Sequence, residues 1–241
     1  MYRRPLPYRL IRKLTSYFNI FFANKSVEGL VDNLVDKYGY LETMRKQKPV
    51  DAYSQPIPWF TYPAIEYISQ LDLREKRVFE WGSGNSSAFF AERCKQIISV
   101  ESDKKWYDYG VQNLRSNQQI IFREELSFID AIEEFSSKFD LIIIDSIRRY
   151  ECALKALNFL EPGGLIILDN SDWYPNTSSL LREVGNLIEI DMHGFGPINS
   201  YSWTTSVYLH RDFNFISKND RQPVFSKAAI QQTAQDDKSM S

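Results

Sequence analysis

Two glycines between two acidic residues form the most informative group in the sequence. A strand-like run ending in Glu80 leads into Gly82-Ser83-Gly84, and a helix is predicted to begin near Ser86. Glycine lets a ligand approach the main chain closely, and the start of a helix offers free N–H groups. Glu101 ends the next strand-like run, 17 residues after the second glycine, where a carboxylate can accept hydrogen bonds from both hydroxyls of a ribose. The spacing therefore predicts a site for a nucleoside-containing ligand.

The acid beside the glycines indicates which nucleoside is preferred. A phosphate group next to Glu80 would be repelled, so a ligand with a ribose, an adenine and a cationic amino-acid end fits the turn better. The third glycine of the dinucleotide-binding fingerprint is also missing, because Ser87 stands at that position. The alternative is that Gly82 and Gly84 make an ordinary tight turn that binds no ligand.

A second group of polar residues follows two later apolar runs. Asp145 ends the run FDLIIID, and Asp169 and Asn170 end the run GLIILDN. The carboxyl ends of parallel strands meet at the edge of a sheet where ligands bind, so these three side chains are expected to converge. In the simpler interpretation, Asp145 contacts a cofactor while Asp169 and Asn170 only cap turns, as Asx residues often do.

The elements that position these residues alternate between short apolar runs and helical stretches, the pattern of a parallel sheet covered on both faces. The predicted strands are Arg77–Trp81, Ile97–Glu101, Gln119–Phe122, Phe139–Asp145 and Gly164–Asp169. The predicted helices are Ser86–Cys94, Lys104–Leu114, Phe128–Phe135, Tyr150–Leu160 and Thr177–Val184. Two consecutive strands follow, Leu187–Asp191 and Trp203–His210, and they predict a terminal antiparallel hairpin. The fold class is therefore α/β, with a doubly wound, mostly parallel sheet that ends in a hairpin.

Three regions are predicted along the chain. Residues 1–76 form an N-terminal helical cap and a Pro-rich joint. The joint covers residues 51–76 and contains a helix from Ala64 to about Leu71. Residues 77–216 form the ligand-binding domain. Residues 217–241 are polar and rich in Gln, Asp and Ser, which predicts a disordered tail.

Four motifs, in their order and spacing, resemble those of the class I S-adenosylmethionine-dependent methyltransferases. They are FEWGSGNSS, ISVESD, FDLIIIDS and EPGGLIILDN, and the resemblance covers about Arg77 to His210. It implies a seven-stranded sheet whose last pair is reversed, S-adenosylmethionine as the cofactor, and Arg123–Ser127 near the adenine. The residues that it implies at the cofactor are Glu80, Gly82, Ser83, Gly84, Asn85, Ser86, Glu101, Ser102 and Asp145.

The stretch from FDLIIID to GLIILDN is also similar to the divalent-metal-dependent O-methyltransferases of the catechol and caffeoyl-CoA type. That resemblance implies that Asp145, Asp169 and Asn170 hold Mg²⁺ against a substrate hydroxyl, since oxygen ligands select a hard cation. Two features depart from that family. The glycines of the cofactor loop are closer together, and Arg148 stands near the position of the catalytic lysine, although arginine is a poor proton acceptor.

Methyl transfer to a hydroxyl requires a group that accepts the hydroxyl proton. Asp169 is the first candidate for this base, beside Asp145, and His193 is the alternative because it precedes a Gly/Pro loop. The simpler interpretation of His193 is structural. The predicted function is O-methylation of a small molecule or a glycan-type hydroxyl, on a sugar, a lipid-linked glycan or a small phenol. Two other functions stay open: an NAD-type oxidoreductase, and a non-catalytic module that binds S-adenosylmethionine or a partner.

The charges separate the start of the chain from the rest. The 241 residues include 29 Lys+Arg and 31 Asp+Glu, a net charge of −2. Residues 1–27 carry six basic residues and no acid, so the remainder has a net charge of −8. An acidic body argues against a nucleic-acid partner. The basic leader predicts steering of an anionic substrate or peripheral contact with an anionic membrane surface.

The cysteine and aromatic content complete the prediction. Cys94 and Cys152 are too few for a disulfide framework and are expected to be reduced thiols in a cytoplasmic protein. Aromatic residues make up 15% of the chain, and several fall beside the motifs. The candidate walls of a single cleft are Trp59, Tyr62, Trp81, Trp106, Trp173, Tyr201 and Trp203.

Overall fold

The computed structural model describes residues 25–219, 221–234 and 236. Its centre is a seven-stranded sheet with the strand order β3-β2-β1-β4-β5-β7-β6. The strands are β1 Arg77–Trp81, β2 Gln96–Glu101, β3 Gln118–Phe122, β4 Phe139–Ile144, β5 Leu160–Asp169, β6 Ile188–Gly194 and β7 Trp203–Leu209. Strands β1 to β5 pair in parallel, and β7 is antiparallel to both β5 and β6. The predicted α/β sheet with a terminal hairpin is confirmed.

Helices fill the connections between the strands. The α-helices are α1 Lys25–Asp32, α2 Tyr40–Lys46, α3 Tyr62–Ser69, α4 Asn85–Ala91, α5 Lys104–Gly110, α6 Glu125–Asp130, α7 Arg149–Phe159 and α8 Pro175–Ser179. Short helical turns extend the chain at Asn33–Lys37, Val111–Asn113, Ala131–Glu134, Ser171–Trp173 and Leu180–Val184. The helices predicted beyond Arg77 are present, but most of their last turns are 3₁₀- or π-helical segments or lie outside the helix.

The core has two layers, one on each face of the sheet. Ile142, Ile143 and Ile144 of β4 are fully buried, because successive side chains of a central strand point to opposite faces and helices cover both. Ile143 packs in the layer under α3 and α4, and its two neighbours pack in the layer under α6 and α7. The burial of each large apolar side chain stabilises the fold by about 1.5–3 kcal/mol. These layers therefore hold the carboxyl ends of the strands in place.

The Pro-rich joint is fastened to the terminal hairpin. The Thr61 N–H donates to Thr205 Oγ1 at 3.0 Å, and the Thr61 hydroxyl donates to the Met192 carbonyl at 2.8 Å. The Tyr62 N–H donates to the Phe195 carbonyl at 2.7 Å. The residues just before α3 are therefore held against β6 and β7, close to the end of β5.

The two ends of the chain are only partly described. Residues 1–24, which contain most of the basic leader and part of the predicted helical cap, lie outside the described residues. After Ser217 the described residues form no helix or strand, but the Lys218 N–H donates to the Gln70 carbonyl at 2.7 Å and the Lys227 N–H donates to Glu66 Oε1 at 3.1 Å. Within the described ranges, no helix has the length and apolar character needed to cross a bilayer.

Candidate functional site

The glycine turn joins the ends of β1, β2 and β4. Gly82 has a φ of +109°, which favours glycine, and an added Cβ would lie 2.6 Å from the Asp145 carbonyl oxygen. The Gly82 N–H donates to the Val100 carbonyl at 2.9 Å, and the Asp145 N–H donates to the Trp81 carbonyl at 3.1 Å. A Cβ on Gly84 would meet nothing within 4 Å. The turn is thus closed toward β4 and open at its second glycine.

Glu80 is buried beneath this turn. Its carboxylate accepts hydrogen bonds from the hydroxyls of Ser86 and Ser87 at 2.5 Å and from the hydroxyl of Ser99 at 2.7 Å. The Ser87 hydroxyl also accepts a hydrogen bond from the Gly84 N–H at 3.1 Å. Burial raises the pKa of Glu80 to about 7, and the three hydroxyls oppose that rise. Ser87 therefore links Glu80 to the turn, which is a physical reason for serine at the third fingerprint position.

Glu101 ends β2 with both carboxylate oxygens oriented. Oε1 accepts hydrogen bonds from the N–H groups of Ser102 at 2.8 Å and Asp103 at 2.9 Å. Oε2 accepts a hydrogen bond from the Ser83 hydroxyl at 2.8 Å. Asp103 also caps α5 by accepting a hydrogen bond from the Lys105 N–H at 2.8 Å, so this corner of the chain is fixed. The glycine turn and the second acid are in contact, and Oε2 already holds a hydroxyl group.

A cavity of about 390 Å³ borders the open side of the turn. Ser83, Gly84 and Asn85 line it together with Trp106 and Tyr109 from the region of α5. The chain before the joint closes the cavity, since Asn85 Nδ2 donates to the Pro49 carbonyl at 2.6 Å. Trp106 lines this cavity and does not line a second cavity, described below, that contains Asp145 and Asp169.

Asp145, Asp169 and Asn170 converge at the carboxyl edge of the sheet, and the buried guanidinium of Arg149 lies among them. Arg149 Nη2 donates to Asp145 Oδ1 at 2.9 Å, and Nη1 donates to Asn170 Oδ1 at 3.0 Å and to the Asp169 carbonyl. The same guanidinium lies 4.6 Å from the centre of the Tyr174 ring. A single side-chain cation therefore pairs with Asp145 and orders this polar cluster.

This arrangement does not fit a divalent metal ion. Two of the oxygens expected to bind Mg²⁺, Asp145 Oδ1 and Asn170 Oδ1, already accept hydrogen bonds from Arg149, which supplies the positive charge between them. In the described ranges, no group of three or more His, Cys, Asp and Glu side chains is placed to hold a metal. Arg148 does not approach the cluster either, and it pairs with Glu151 on the surface at 3.2 Å. The expectation of a bound Mg²⁺ is therefore not supported.

Asp169 is held at one of its oxygens by two donors from β7. Trp203 Nε1 donates to Oδ1 at 3.0 Å and the Thr205 hydroxyl donates to it at 2.6 Å, while Oδ2 accepts no hydrogen bond from a described residue. Burial raises the pKa of Asp169 well above its usual range, and the Asp145 carboxylate raises it further, against the lowering effects of Thr205, Trp203 and Arg149. A fixed carboxylate with one free oxygen and a raised pKa is suited to accept a proton.

Asp169 lines a cavity of about 220 Å³, and half of the residues that line it are aromatic. Trp59 reaches it from the joint, Trp173 from the turn after β5, and Tyr201 and Trp203 from the hairpin. The residues that line it are Trp59, Asp145, Asp169, Asn170, Trp173, Asn199, Tyr201 and Trp203. Two of the aromatic residues expected at one cleft, Tyr62 and Trp81, are instead buried in the core. Together with Trp106, they show that the aromatic residues do not form a single cleft.

His193 is not brought together with the acids. Strand β6 continues to Gly194, so His193 is an exposed strand residue and does not directly precede the loop. It pairs with Thr204, whose Oγ1 lies 2.7 Å from His193 Nδ1, whereas Asp169 pairs with Thr205. Since neighbouring residues of a strand point to opposite faces, His193 and Asp169 lie on opposite faces of the sheet.

Sequence reasoning missed two residues of the site and the role of a third. Arg149 was not considered, although its position four residues after Asp145 and directly before a predicted helix was a signal for contact. Trp203 was treated as a wall, and its role as a donor to Asp169 depends on the hairpin register. Thr205 carried no signal of its own, because threonine is common in strands.

Comparison with known proteins rests on solved structures. No protein-family model matches the sequence, and no curated protein sequence matches it either. The O-methyltransferase TomG from Streptomyces achromogenes, involved in tomaymycin synthesis and solved in complex with S-adenosylmethionine, aligns over 77% of this chain and 96% of its own, with a TM-score of 0.54 and 13% identity. An rRNA methylase from Streptococcus thermophilus aligns over 62% and 97%, with a TM-score of 0.48 and 16% identity. A precorrin-6y C5,15-methyltransferase from Geobacter metallireducens aligns over 61% and 88%, with a TM-score of 0.49 and 14% identity.

The likeness at these identities concerns the fold, and TomG carries it. The seven-stranded sheet and its reversed strand β7 are those that the class I resemblance implied. The chain has the fold of the class I S-adenosylmethionine-dependent methyltransferases.

Proposed function

We propose that this protein is an S-adenosylmethionine-dependent methyltransferase that methylates a hydroxyl group of a small molecule or a glycan. The observation that carries the proposal is the contact between the two candidate sites. Gly82 of the turn lies against the main chain of Asp145, and Asp145 lines the cavity that contains Asp169. A cofactor at the turn and an acceptor at Asp169 would meet at the end of β4, which is the proximity that methyl transfer requires.

The turn and the end of β2 supply groups that fit the cofactor. Glu101 Oε2 already accepts a hydrogen bond from the Ser83 hydroxyl. A ribose hydroxyl would take the place of that serine hydroxyl as the donor. The open flank of Gly84 leaves room beside the main chain. Arg123–Ser127, which follows β3, stays the proposed neighbour of the adenine. When bound, S-adenosylmethionine supplies an electrophilic methyl group on a sulfonium.

Asp169 is the proposed base. A hydroxyl in the cavity would donate a hydrogen bond to the free Oδ2 and transfer its proton there as the oxygen becomes methylated. Trp203 and Thr205 keep the carboxylate in one orientation through Oδ1, so they are positioning residues. Arg149 holds Asp145 beside it and balances part of the negative charge. The acceptor specificity within hydroxyl compounds is set by the aromatic walls.

The cofactor assignment is tested by titrating the purified protein with S-adenosylhomocysteine in a calorimeter. Glu101→Gln keeps an oxygen for the Ser102 and Asp103 N–H groups but weakens the acceptor for a ribose, so we expect at least about tenfold weaker binding, or about 1.4 kcal/mol. Glu75→Gln is the matched control, since Glu75 is exposed and precedes β1. Absence of S-adenosylhomocysteine binding, with binding of reduced NAD instead, would support an oxidoreductase.

The base assignment is tested by following S-adenosylhomocysteine production with panels of alcohols, phenols, sugars and amines. Asp169→Asn is expected to bind S-adenosylhomocysteine like the wild type and to lose about 10²–10⁴-fold in turnover of a hydroxyl acceptor. Asp212→Asn, at an exposed position, is the control. Full turnover by Asp169→Asn would refute the role of Asp169, and turnover of amines alone would refute the hydroxyl assignment.

A further inference from the structure

A large groove lies directly beside the cavity of Asp169. It has a volume of about 580 Å³ and runs along α8 and the helical turn Leu180–Val184. Tyr150, Tyr174, Leu180 and Val184 are among the residues that line it. Trp173 lines both the groove and the smaller cavity, so the two spaces meet at this side chain.

The groove exposes aromatic and apolar surface next to neutral polar groups. Trp173 is 59% exposed, Tyr150 is 43% exposed and Val184 is 73% exposed, although each has a large apolar or aromatic side chain. Asn176 and Ser179 line the same groove. Flat apolar faces together with neutral hydrogen-bonding groups match a ligand with C–H faces and many hydroxyls.

The charges near the groove favour an uncharged ligand. Among the described residues that line it, only Glu183 is charged, and Arg182 pairs with that residue at 3.1 Å. Neither the groove nor the small cavity has a lysine or arginine among its described lining residues. Arg149, whose guanidinium lies against the Tyr174 ring, is buried and engaged by Asp145 and Asn170. A phosphorylated or carboxylated ligand would meet acids here without a free cation to bind it.

The sizes of the two spaces indicate how a ligand divides between them. The cavity of about 220 Å³ is smaller than the roughly 300–1,000 Å³ of typical small-molecule sites, so it accepts one ring of an acceptor. The groove of about 580 Å³ exceeds the cavity and holds more than one further ring. Trp173 stands between the ring that reacts and those that follow.

We propose that the acceptor is an extended, uncharged saccharide whose reacting ring enters the cavity of Asp169 and whose following rings lie across Trp173 in the groove. This inference rests on the proposed function for its reacting end. Tyr150 and Trp173 are the residues that select for length: Tyr150 lines only the groove, and Trp173 lines both spaces.

The test uses the full chain saturated with S-adenosylhomocysteine and compares glucose, mannose and galactose with their linear trisaccharides by saturation-transfer NMR and calorimetry. At least one trisaccharide is expected to bind about tenfold or more tightly than its monosaccharide, as an added aromatic contact provides. Tyr150→Ala should abolish this advantage and leave monosaccharide binding unchanged. Trp173→Ala should weaken both ligands, and Tyr53→Ala, an exposed aromatic outside both spaces, should weaken neither.

The outcomes separate this inference from the proposed function. Trisaccharides that bind no better than monosaccharides, or a length advantage that survives Tyr150→Ala, would overturn the extended saccharide site. If a phosphorylated trisaccharide or benzylamine bound more tightly than the neutral trisaccharide, the proposal that the site takes an uncharged ligand would be overturned. Turnover of small phenols without any saccharide binding would support the proposed methyltransferase function and refute the saccharide site. Saccharide binding with the expected length dependence, but without methyl transfer from S-adenosylmethionine, would retain the site and refute the function.

Discussion

Replacing Arg149 by methionine is expected to destabilise the protein far more than the same change at Arg148. Arg149 is buried, and its guanidinium donates hydrogen bonds to Asp145 and Asn170. Arg148 is exposed and pairs with Glu151 at the surface. The two residues are adjacent in sequence and chemically identical, so the pair of variants isolates the effect of the environment.

The magnitude follows from what each variant leaves behind. Removing one partner of a buried ion pair leaves an uncompensated charge and costs about 3–5 kcal/mol. The Asp145 side chain keeps 25% of its exposure, so water can solvate part of that charge and we expect the lower end of the range. An exposed pair such as Arg148–Glu151 contributes about 0–1 kcal/mol. The free energies of unfolding of the two variants should therefore differ by about 2–3 kcal/mol.

The assay is urea unfolding at pH 7 of the wild type, Arg149→Met, Arg148→Met and the double variant Asp145→Asn, Arg149→Met. The double variant removes the uncompensated carboxylate, so it should recover part of the stability lost in Arg149→Met. Equal free energies of unfolding for the two methionine variants would refute the assigned role of Arg149. A double variant with no recovery would show that the loss came from packing and not from charge.

Three further predictions concern the metal, the buried acid and the turn. Because Arg149 supplies the positive charge beside Asp145, dialysis against EDTA should leave methyl transfer unchanged, and activity that EDTA removes and Mg²⁺ restores would contradict this. The rise in the pKa of Glu80 from its ordinary 4.5 to about 7 means that the folded state binds the proton more tightly. The contribution of Glu80 to stability should therefore be fully present below pH 4.5 and fall by up to roughly 3 kcal/mol as the pH rises to about 7. Glu80→Gln should flatten this part of the pH dependence of unfolding, and parallel curves for the two proteins would argue against it. Gly82→Ala should lower the free energy of unfolding by about 1–3 kcal/mol, because its φ of +109° and the Asp145 carbonyl leave no room for a Cβ, and calorimetry should show no comparable loss for Gly84→Ala.

The sheet and its strand-end residues could be predicted because each strand is an apolar run bounded by polar residues. Parallel strands bring their carboxyl ends to one edge, so the placement of Glu101, Asp145 and Asp169 followed from strand order. The contact between Ser83 and Glu101 was not predicted, and it arises because β1 and β2 are neighbours in register. These relations depend on topology, which the alternating pattern encodes.

What the sequence did not reveal depends on side-chain direction and register. Arg148 has a φ of +56° and precedes α7, while Arg149 begins that helix, and this difference turns one guanidinium outward and the other into the cluster. A shift of one residue in the register of β6 would place His193 on the face of Asp169. Nothing in the composition of a hairpin specifies its register to that accuracy.

The terminal hairpin is the element that forms the proposed acceptor cavity beside the proposed cofactor turn. Its Trp203 and Thr205 side chains donate hydrogen bonds to Asp169. Its hydrogen bond with Thr61 holds the joint, which contains Trp59. Gly196 permits the closure, because an added Cβ would lie 2.4 Å from the Trp203 ring and from the main chain of the joint. The turn at Gly82, by contrast, depends on contacts among β1, β2 and β4. Changes in the hairpin and joint should therefore alter acceptor selection while cofactor affinity stays the same.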